Sequence, residues 1–395
     1  KKDVSNYSLI SKEDYLSNNE FLEYFNRLFI VDNVLESMQI LSSQVLLDNP
    51  RRIIGITGSN GKTTVKEMIF SLLKENYKVD KTRGNHNSEI GLPYTVLNSS
   101  MDANILVLEM GMDHVGEIAK LVKIAPPEIG VITNIGNSHI GVLGSRENIF
   151  NAKIEITNNM NEESYLIINS DDDYLNEYSS DKHKIIKVYT DEISNASFDE
   201  LDKFSFELEN CKYYLPIPGE HNIKNFQLAH KVAKLFNIKN EEMNILINKM
   251  EVYDNRNSIV EINGVIIIKD YYNASTDSMI SAVKTLKNIG KKRKIAILGD
   301  MLEQGKYSNL EHCKVGEYSN DKIDILFTIG EAANHIHLCF TSGEKYHFEN
   351  KSDLIKKLID ELHFGDTVLI KASRGMKFEE ISDGISNYLY NKESI

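Results

Sequence analysis

The chain has 395 residues, with 45 Lys and Arg against 58 Asp and Glu, so its formal net charge is −13. At about 150 residues per domain that length predicts two or three domains. A content of 41% hydrophobic and 26% charged residues excludes a disordered chain and supplies ample core. The acidic balance argues against a nucleic-acid or anionic-membrane binder, and still leaves room for a local basic pocket that holds phosphate. No apolar run approaches the roughly 18–20 residues that span a bilayer. The opening KKDVSNYSLISKEDYL has basic residues without the apolar stretch of a secretory signal. Cys211, Cys313 and Cys339 are scattered with no CxxC, so neither a disulfide framework nor a zinc ribbon is expected, and the thiols read as inert in a reducing compartment. A cytoplasmic protein is expected.

Residues 1–48 are polar, with a strand at Leu28–Val31 and an amphipathic helix over 33–47 that puts Val34, Met38, Leu41 and Val45 on one face. This is too little chain for a domain of its own. From Arg51 apolar strands alternate with helices: IIGIT, GKTTVKEMIFSLLKE, ANILVLEM, GEIAKLVKI, EIGVITNI and SRENIFNAKIEITNNM, the last with Ser145 and Glu147 as helix-start signals. That alternation predicts a parallel sheet covered on both faces. KFSFELENCKYYLPIP reads as a small antiparallel addition, and GEHNIKNFQLAHKVAKLF as a strong helix. The alternation restarts near Val252. VEINGVIIIKD is a hairpin turning at Asn263-Gly264. Helices near 276–288, 307–319, 351–361 and from 376 then flank the strands KIAILGD, ILFTIG and DTVLIKA. The expected fold is α/β: a central P-loop-type parallel-sheet ATPase domain, then a Rossmann-like C-terminal α/β domain. The expected division is 1–48, a short N-terminal segment; 49–251, the ATP-binding domain; and 252–395, the C-terminal domain.

The chemistry is concentrated in a few strings. Gly55-Ile-Thr-Gly58-Ser59-Asn60-Gly61-Lys62-Thr63-Thr64 follows a strand and opens a helix. Glycines there turn backbone N–H groups toward an anion, the helix dipole adds to them, Lys62 reaches terminal phosphates and a hydroxyl binds Mg²⁺. The strict GxxxxGK[ST] spacing fails, because its first glycine falls at Ile56. Glu109 ends an apolar strand, where an inward carboxylate faces the phosphate loop. His139 sits in Asn137-Ser138-His139 after another strand. Asp270 follows the strand at 265–268, placed to hold a ribose hydroxyl or a reacting amine. Asp300 and Glu303, in Leu298-Gly299-Asp300-Met301-Leu302-Glu303, and the cluster Lys371-Ala-Ser373-Arg374-Gly375 also lie just past strand ends. Lys153, in Ala152-Lys153-Ile154-Glu155, reads by itself as an ordinary helix lysine.

Together GITGSNGKTTVKEM, GNHNSEIGLP, LEMGMDHVGEIAKL, NIGNSHI, LGSRENIFNAKIEI, PGEHNIKN, LGDMLEQG and IKASRGMKFEEI resemble the Mur ligase family, ATP-dependent amide ligases of peptidoglycan synthesis. The likeness runs from about residue 31 to 385 and is strongest to the branch that adds D-alanyl-D-alanine to UDP-N-acetylmuramoyl-tripeptide. The family's phosphate loop has the shortened GxxGK[ST] form. The resemblance implies ATP and two Mg²⁺ ions as cofactors, with Gly58, Ser59, Asn60, Gly61, Lys62, Thr63 and Thr64 around the phosphates. It implies Thr63, Glu109 and His139 at metal, and Lys153 as a carbamoylated lysine that adds a negative ligand. Asn225 would contact adenine, and Arg256 and Asp270 would close on phosphate and ribose. Substrate contacts are expected from Asn87, Ser88, Asn273, Asp300, Lys371, Ser373 and Arg374. The implied partners are small molecules: a nucleotide-sugar peptide or other carboxylate, and an amino acid or dipeptide. No nucleic acid and no membrane insertion are implied, and a monomer is expected.

Three departures from the family stand out. Only 48 residues precede Asn49, against a full UDP-gripping domain of on the order of a hundred residues; truncation, UDP contacts from elsewhere and a substrate without UDP are the readings this leaves. The acidic residue usual two places after the motif histidine is Gly141. The NDAYNASP-like string reads KDYYNAST. A ligase for a smaller carboxylate, or a nucleotide-binding regulatory protein that has lost ligation, are the competing functions.

Overall fold

The computed structural model describes residues 8–17, 27–251 and 255–391. Its first large sheet has six parallel strands in the order Val79–Lys81, Ile105–Glu109, Arg52–Thr57, Ile129–Ile132, Tyr165–Asn169, Lys184–Val188. Period-2 alternation serves both faces. Ile54, Ile56, Ile105 and Val107 point into a core shared with the helices Lys62–Leu73 and His221–Leu235. Ile53, Leu106 and Leu108 point into the opposite core, with Leu92, Ile118, Leu121 and Ile149 of the covering helices. The chain builds outward from Arg52–Thr57 first on one side and then on the other. The crevice past the carboxyl end of this strand is therefore a topological switch point.

The C-terminal sheet runs Ser258–Ile262, Val265–Lys269, Thr367–Lys371, Lys294–Gly299, Ile325–Ile329, Glu344–Phe348. Only the first pair is antiparallel, joined at Asn263 (φ 47°) and Gly264 (φ 77°), the left-handed pair that a two-residue hairpin loop requires. Met279, Val283, Leu286, Val315 and Ile336 cover one face, and Leu354, Leu358, Ile381, Ile385 and Leu389 the other. The expected α/β class and both parallel-sheet units are present. None of the described helices is long and apolar enough to cross a membrane.

Several expectations change. The N-terminal helix spans Val34–Asp48 with Asn33 capping it, but Leu41 is 46% exposed and Ser42 is buried in its place. The helix packs on the helix Gly91–Leu97, where the Pro93 carbonyl accepts from the buried Ser42 Oγ at 3.3 Å. Tyr165–Asn169 and Lys184–Val188 are sheet strands, although the sequence pattern did not single them out; Ser194–Phe198, a third strand on the antiparallel addition, is exposed throughout and so carries no burial pattern. Cys313 and Cys339 are joined in a disulfide, against the expectation of inert thiols. They sit on Ser308–Ser319 and Ala333–Cys339, helices that the topology packs side by side and that a 26-residue separation does not betray. Cys211 is free. The 251/252 division meets residues outside the described ones at 252–254.

The antiparallel addition ties the two units together. Asp202 is buried, and its carboxylate accepts from Thr285 Oγ1 at 2.9 Å and Asn288 Nδ2 at 2.8 Å, both on the helix Thr276–Ile289. Asp202→Ala leaves both donors without their partner. A loss of about 1–3 kcal/mol in urea unfolding is expected.

Candidate active site

The phosphate loop is shaped by two glycines. Gly58 has φ 142° and a Cβ there would run into Thr133; Gly61 has φ 84° and a Cβ would stand 2.6 Å from Asn225 Oδ1. Gly61 caps Lys62–Leu73 with no side-chain bond to the first helical amides, so these remain free for an anion. Lys62 Nζ curls over the loop to Gly58 O at 2.7 Å. Burial pushes its amine below the usual lysine range, opposed by Glu109.

Glu109 is buried at the carboxyl end of Ile105–Glu109. It accepts from Thr63 Oγ1 at 2.8 Å and Asn87 Nδ2 at 3.0 Å, and Lys66 Nζ stands 3.7 Å away. Lys66, itself buried, also meets Glu67 at 3.2 Å, and Glu67 pairs with Lys81. Sequence reading missed Lys66 and Glu67; helix periodicity offered no signal, since charged residues are expected on the solvent side.

Lys153 is buried in Arg146–Ile154, and its amine makes no hydrogen bond or ion pair among the described residues. Desolvation pushes its amine well below the ordinary value, and the nearby Lys62 charge pushes the same way. Lys153 does not line the cleft. Thr63 and Glu109, in mutual contact at 2.8 Å, present the hard oxygen donors that Mg²⁺ takes, and His139 lines the same cleft.

A cleft of about 950 Å³ separates the two α/β units. From the first unit it is lined by Ser59 through Thr64, Asn87, Ser88, Glu109, His139 and Asn225. From the second come Arg256, Asp270, Asn273, Lys371, Ser373 and Arg374. Asn225 donates to Asn222 Oδ1 at 2.8 Å, and Ser275 Oγ reaches Asn60 Oδ1 across the cleft at 3.0 Å. Arg256 stacks 3.5 Å over the Tyr272 ring, while Arg374 lies 5.1 Å from the same ring and donates to its hydroxyl at 3.2 Å. One aromatic thus orients two cations, and it was not foreseen. Lys371 is buried and committed: its Nζ donates to Asp270 Oδ2 at 2.6 Å and Asn273 O at 3.1 Å. These bonds fix the Asp270 loop, a structural use that the sequence position of Lys371 did not reveal, while the residue also lines the cleft. Asp300 is corrected. It is not part of the cleft lining; its Oδ1 accepts from Ala333 N at 2.7 Å and supports the next helix start.

His139 Nδ1 lies 2.8 Å from Glu303 Oε2, on the second unit, and 3.3 Å from Asp113 Oδ1. The imidazole holds the Glu303 carboxyl below its usual range. Asp113 was not foreseen. The acid that sequence reading put at Asp300 is matched in the cleft by Glu303, three residues on.

A glycine-shaped phosphate loop at a strand switch point, facing a second α/β unit that brings two oriented guanidiniums, defines the class as an ATP-dependent ligase built from two docked domains. Comparison with known proteins gives the family. Residues 56–233 match the Mur ligase middle domain, and residues 255–374 match the Mur ligase glutamate ligase domain. The UDP-N-acetylmuramoyl-tripeptide--D-alanyl-D-alanine ligase of Bacillus subtilis is 38% identical over 369 residues, covering 90% of this chain and 80% of that one. The Escherichia coli enzyme of that name is 30% identical, covering 86% and 78%. A crystal structure of MurF ligase from Thermotoga maritima in complex with ADP superposes with TM-score 0.87 at 26% identity, covering 98% of this chain and 96% of that one. MurF from Acinetobacter baumannii gives 0.84 at 25%, covering 91% and 82%. The chain belongs to the Mur ligase family.

The buried charges around Glu109 set a stability test. Lys66→Met takes the shared cation from Glu67 and Glu109, leaving Glu67 with Lys81 and Glu109 with Thr63 and Asn87. Removing one partner of a buried pair costs about 3–5 kcal/mol, so a fall of that order in chemical unfolding is expected.

Proposed function

We propose that the chain joins D-alanyl-D-alanine to UDP-N-acetylmuramoyl-tripeptide, with ATP cleaved to ADP and phosphate. The observation that carries this reading is the relatives of that name, 38% and 30% identical along nearly all of this chain, together with the phosphate-loop geometry. We further propose the division 1–48, 49–251 and 252–395, a monomer, and work in the cytoplasm where both nucleotides are at hand.

In the proposed reaction the terminal carboxylate of the tripeptide attacks the γ-phosphorus. The bond to the bridging oxygen breaks, ADP leaves, and an acyl phosphate forms. The amine of the dipeptide then attacks the acyl carbon, loses a proton, and the tetrahedral intermediate expels phosphate as the amide forms. Lys62 and the loop amides bind the transferring phosphoryl group and neutralise its charge. Thr63, Glu109 and His139 are the residues that would hold Mg²⁺, which neutralises phosphate charge when bound. Asn225 is assigned to adenine, Asp270 to ribose, and Arg256 to phosphate. Asn87, Ser88, Asn273, Ser373 and Arg374 are assigned to the organic substrates. Docking of the second domain excludes the water that otherwise hydrolyses the acyl phosphate.

Lys153 is proposed as a carbamate. Its amine, pushed toward the free base by burial, attacks the carbon of CO₂ and releases a proton. A cation is replaced by an anion beside the metal site; an ammonium kept there would repel Mg²⁺ by several kcal/mol at an effective dielectric of about 20.

Phosphate release should require ATP, Mg²⁺, the UDP-tripeptide and the dipeptide together, with each omission reducing it to background. Equal ADP formation with and without the amine would sink the ligase reading. In CO₂-free buffer activity should decline and bicarbonate should restore it, while Lys153→Ala should be inactive and indifferent to bicarbonate.

A further inference from the structure

His139 is a ring with two nitrogens on opposite edges, and only one of them can face a cation. Which one does so depends on the partner of the other. Here Nδ1 is claimed from the second domain: Glu303 Oε2 stands 2.8 Å away. The ring N–H is not yet aligned with that oxygen, and such bonds tighten in a loaded site. A carboxylate at Nδ1 keeps the proton there and leaves the Nε2 lone pair as the free donor.

The loop that carries Glu303 is seated by backbone. Gly141 N donates to Glu303 O at 3.1 Å, and Tyr307 Oη donates to Gly144 O at 3.0 Å. The approach needs two glycines. A Cβ on Gly141 would lie 2.6 Å from Glu303 O, and one on Gly305 would lie 2.7 Å from Gly141 Cα. Any side chain at 141 would hold the loop off and withdraw the carboxylate. Asp113, at 3.3 Å from the same nitrogen, is the rival partner; both carboxylates are largely exposed, 67% for Asp113 and 53% for Glu303, so the shorter approach of Glu303 is what ranks it first.

We infer that Glu303 is a positioning residue: docked through the Gly141–Gly305 contact, it holds His139 Nδ1–H so that Nε2 is presented to the divalent cation, and cation affinity therefore depends on closure of the two domains. The inference rests on the reading of His139 as a metal ligand. Linkage makes the effect reciprocal, since a cation bound at His139 then favours the docked arrangement.

Mn²⁺ binding to the ADP complex of the whole chain, followed by electron paramagnetic resonance, tests this without any turnover. Glu303→Ala should weaken Mn²⁺ about 10- to 100-fold, the usual effect of losing a partner behind a metal-bound histidine. Glu303→Gln keeps an acceptor for Nδ1–H and should lose less. Gly141→Ala, which leaves every polar group in place, should weaken Mn²⁺ in the same direction as Glu303→Ala. In turnover, Glu303→Ala should raise the Mg²⁺ concentration for half-maximal rate and recover most of kcat at saturating Mg²⁺. If His139→Ala weakens Mn²⁺ but Glu303→Ala and Gly141→Ala do not, the inference fails while the ligand reading stands. If Asp113→Ala weakens it and Glu303→Ala does not, the partner is Asp113 and the inference fails. A His139→Ala protein that binds Mn²⁺ like the unaltered chain would overturn the ligand reading and the inference together.

Discussion

The architecture turns on satisfying a carboxylate where water is scarce. Glu109 ends a fully buried strand, and an isolated carboxylate there would cost several kcal/mol in lost hydration. Three groups prevent that: the Thr63 hydroxyl, the Asn87 amide and, at longer range, the Lys66 ammonium. Two come from the start of the helix Lys62–Leu73 and one from the loop at Asn87, and each fixes something else. Thr63 ties the carboxylate to the first turn after the phosphate loop, Asn87 draws in the GNHNSEIGLP loop, and Lys66 links it to the buried Glu67 and its partner Lys81. The position of one oxygen pair thus sets the phosphate loop, the facing loop and the inner side of a helix.

The second domain is arranged around the same economy of charge. Lys371, a buried cation of the cleft lining on that side, is paired with Asp270 and fastens a loop. Among the described residues Arg256 and Arg374 form no ion pair, and their guanidiniums lie against Tyr272. Stacking on a ring holds a guanidinium in place without neutralising it. Two guanidiniums of the cleft are thus held by an aromatic face, and the Lys371 ammonium by a carboxylate.

What the sequence made legible follows from this division. Apolar strands and capped helices were readable because burial on both faces demands Ile, Val and Leu in short runs; RIIGIT and VIIIK became strands as expected. The phosphate loop was readable because its backbone conformation demands glycine. Ser194–Phe198 was not readable because it buries nothing. Lys66, Asp113 and Tyr272 were not readable because their meaning lies in partners that topology alone brings near. Likewise the bond between Cys313 and Cys339 depends on two helices being neighbours. Lys371 and Asp300 were read as substrate groups from their place past strand ends, a position shared by residues that bind ligands and residues that hold loops. Only the partner distinguishes them.

Gly141 joins the legible and the illegible parts. From the sequence it was a departure, an acid missing near a metal-site histidine. In the structure the absent side chain is what admits the Glu303 loop, with Gly305 pressed against Gly141 and the Glu303 carboxylate beside His139. Negative charge stands near the histidine after all: Asp113 of its own domain at 3.3 Å and, closer, Glu303 of the other domain at 2.8 Å. A charge supplied on the histidine's own loop would be present whether the domains were open or docked. One supplied across the cleft is present only when they are docked, so the same charge also reports closure.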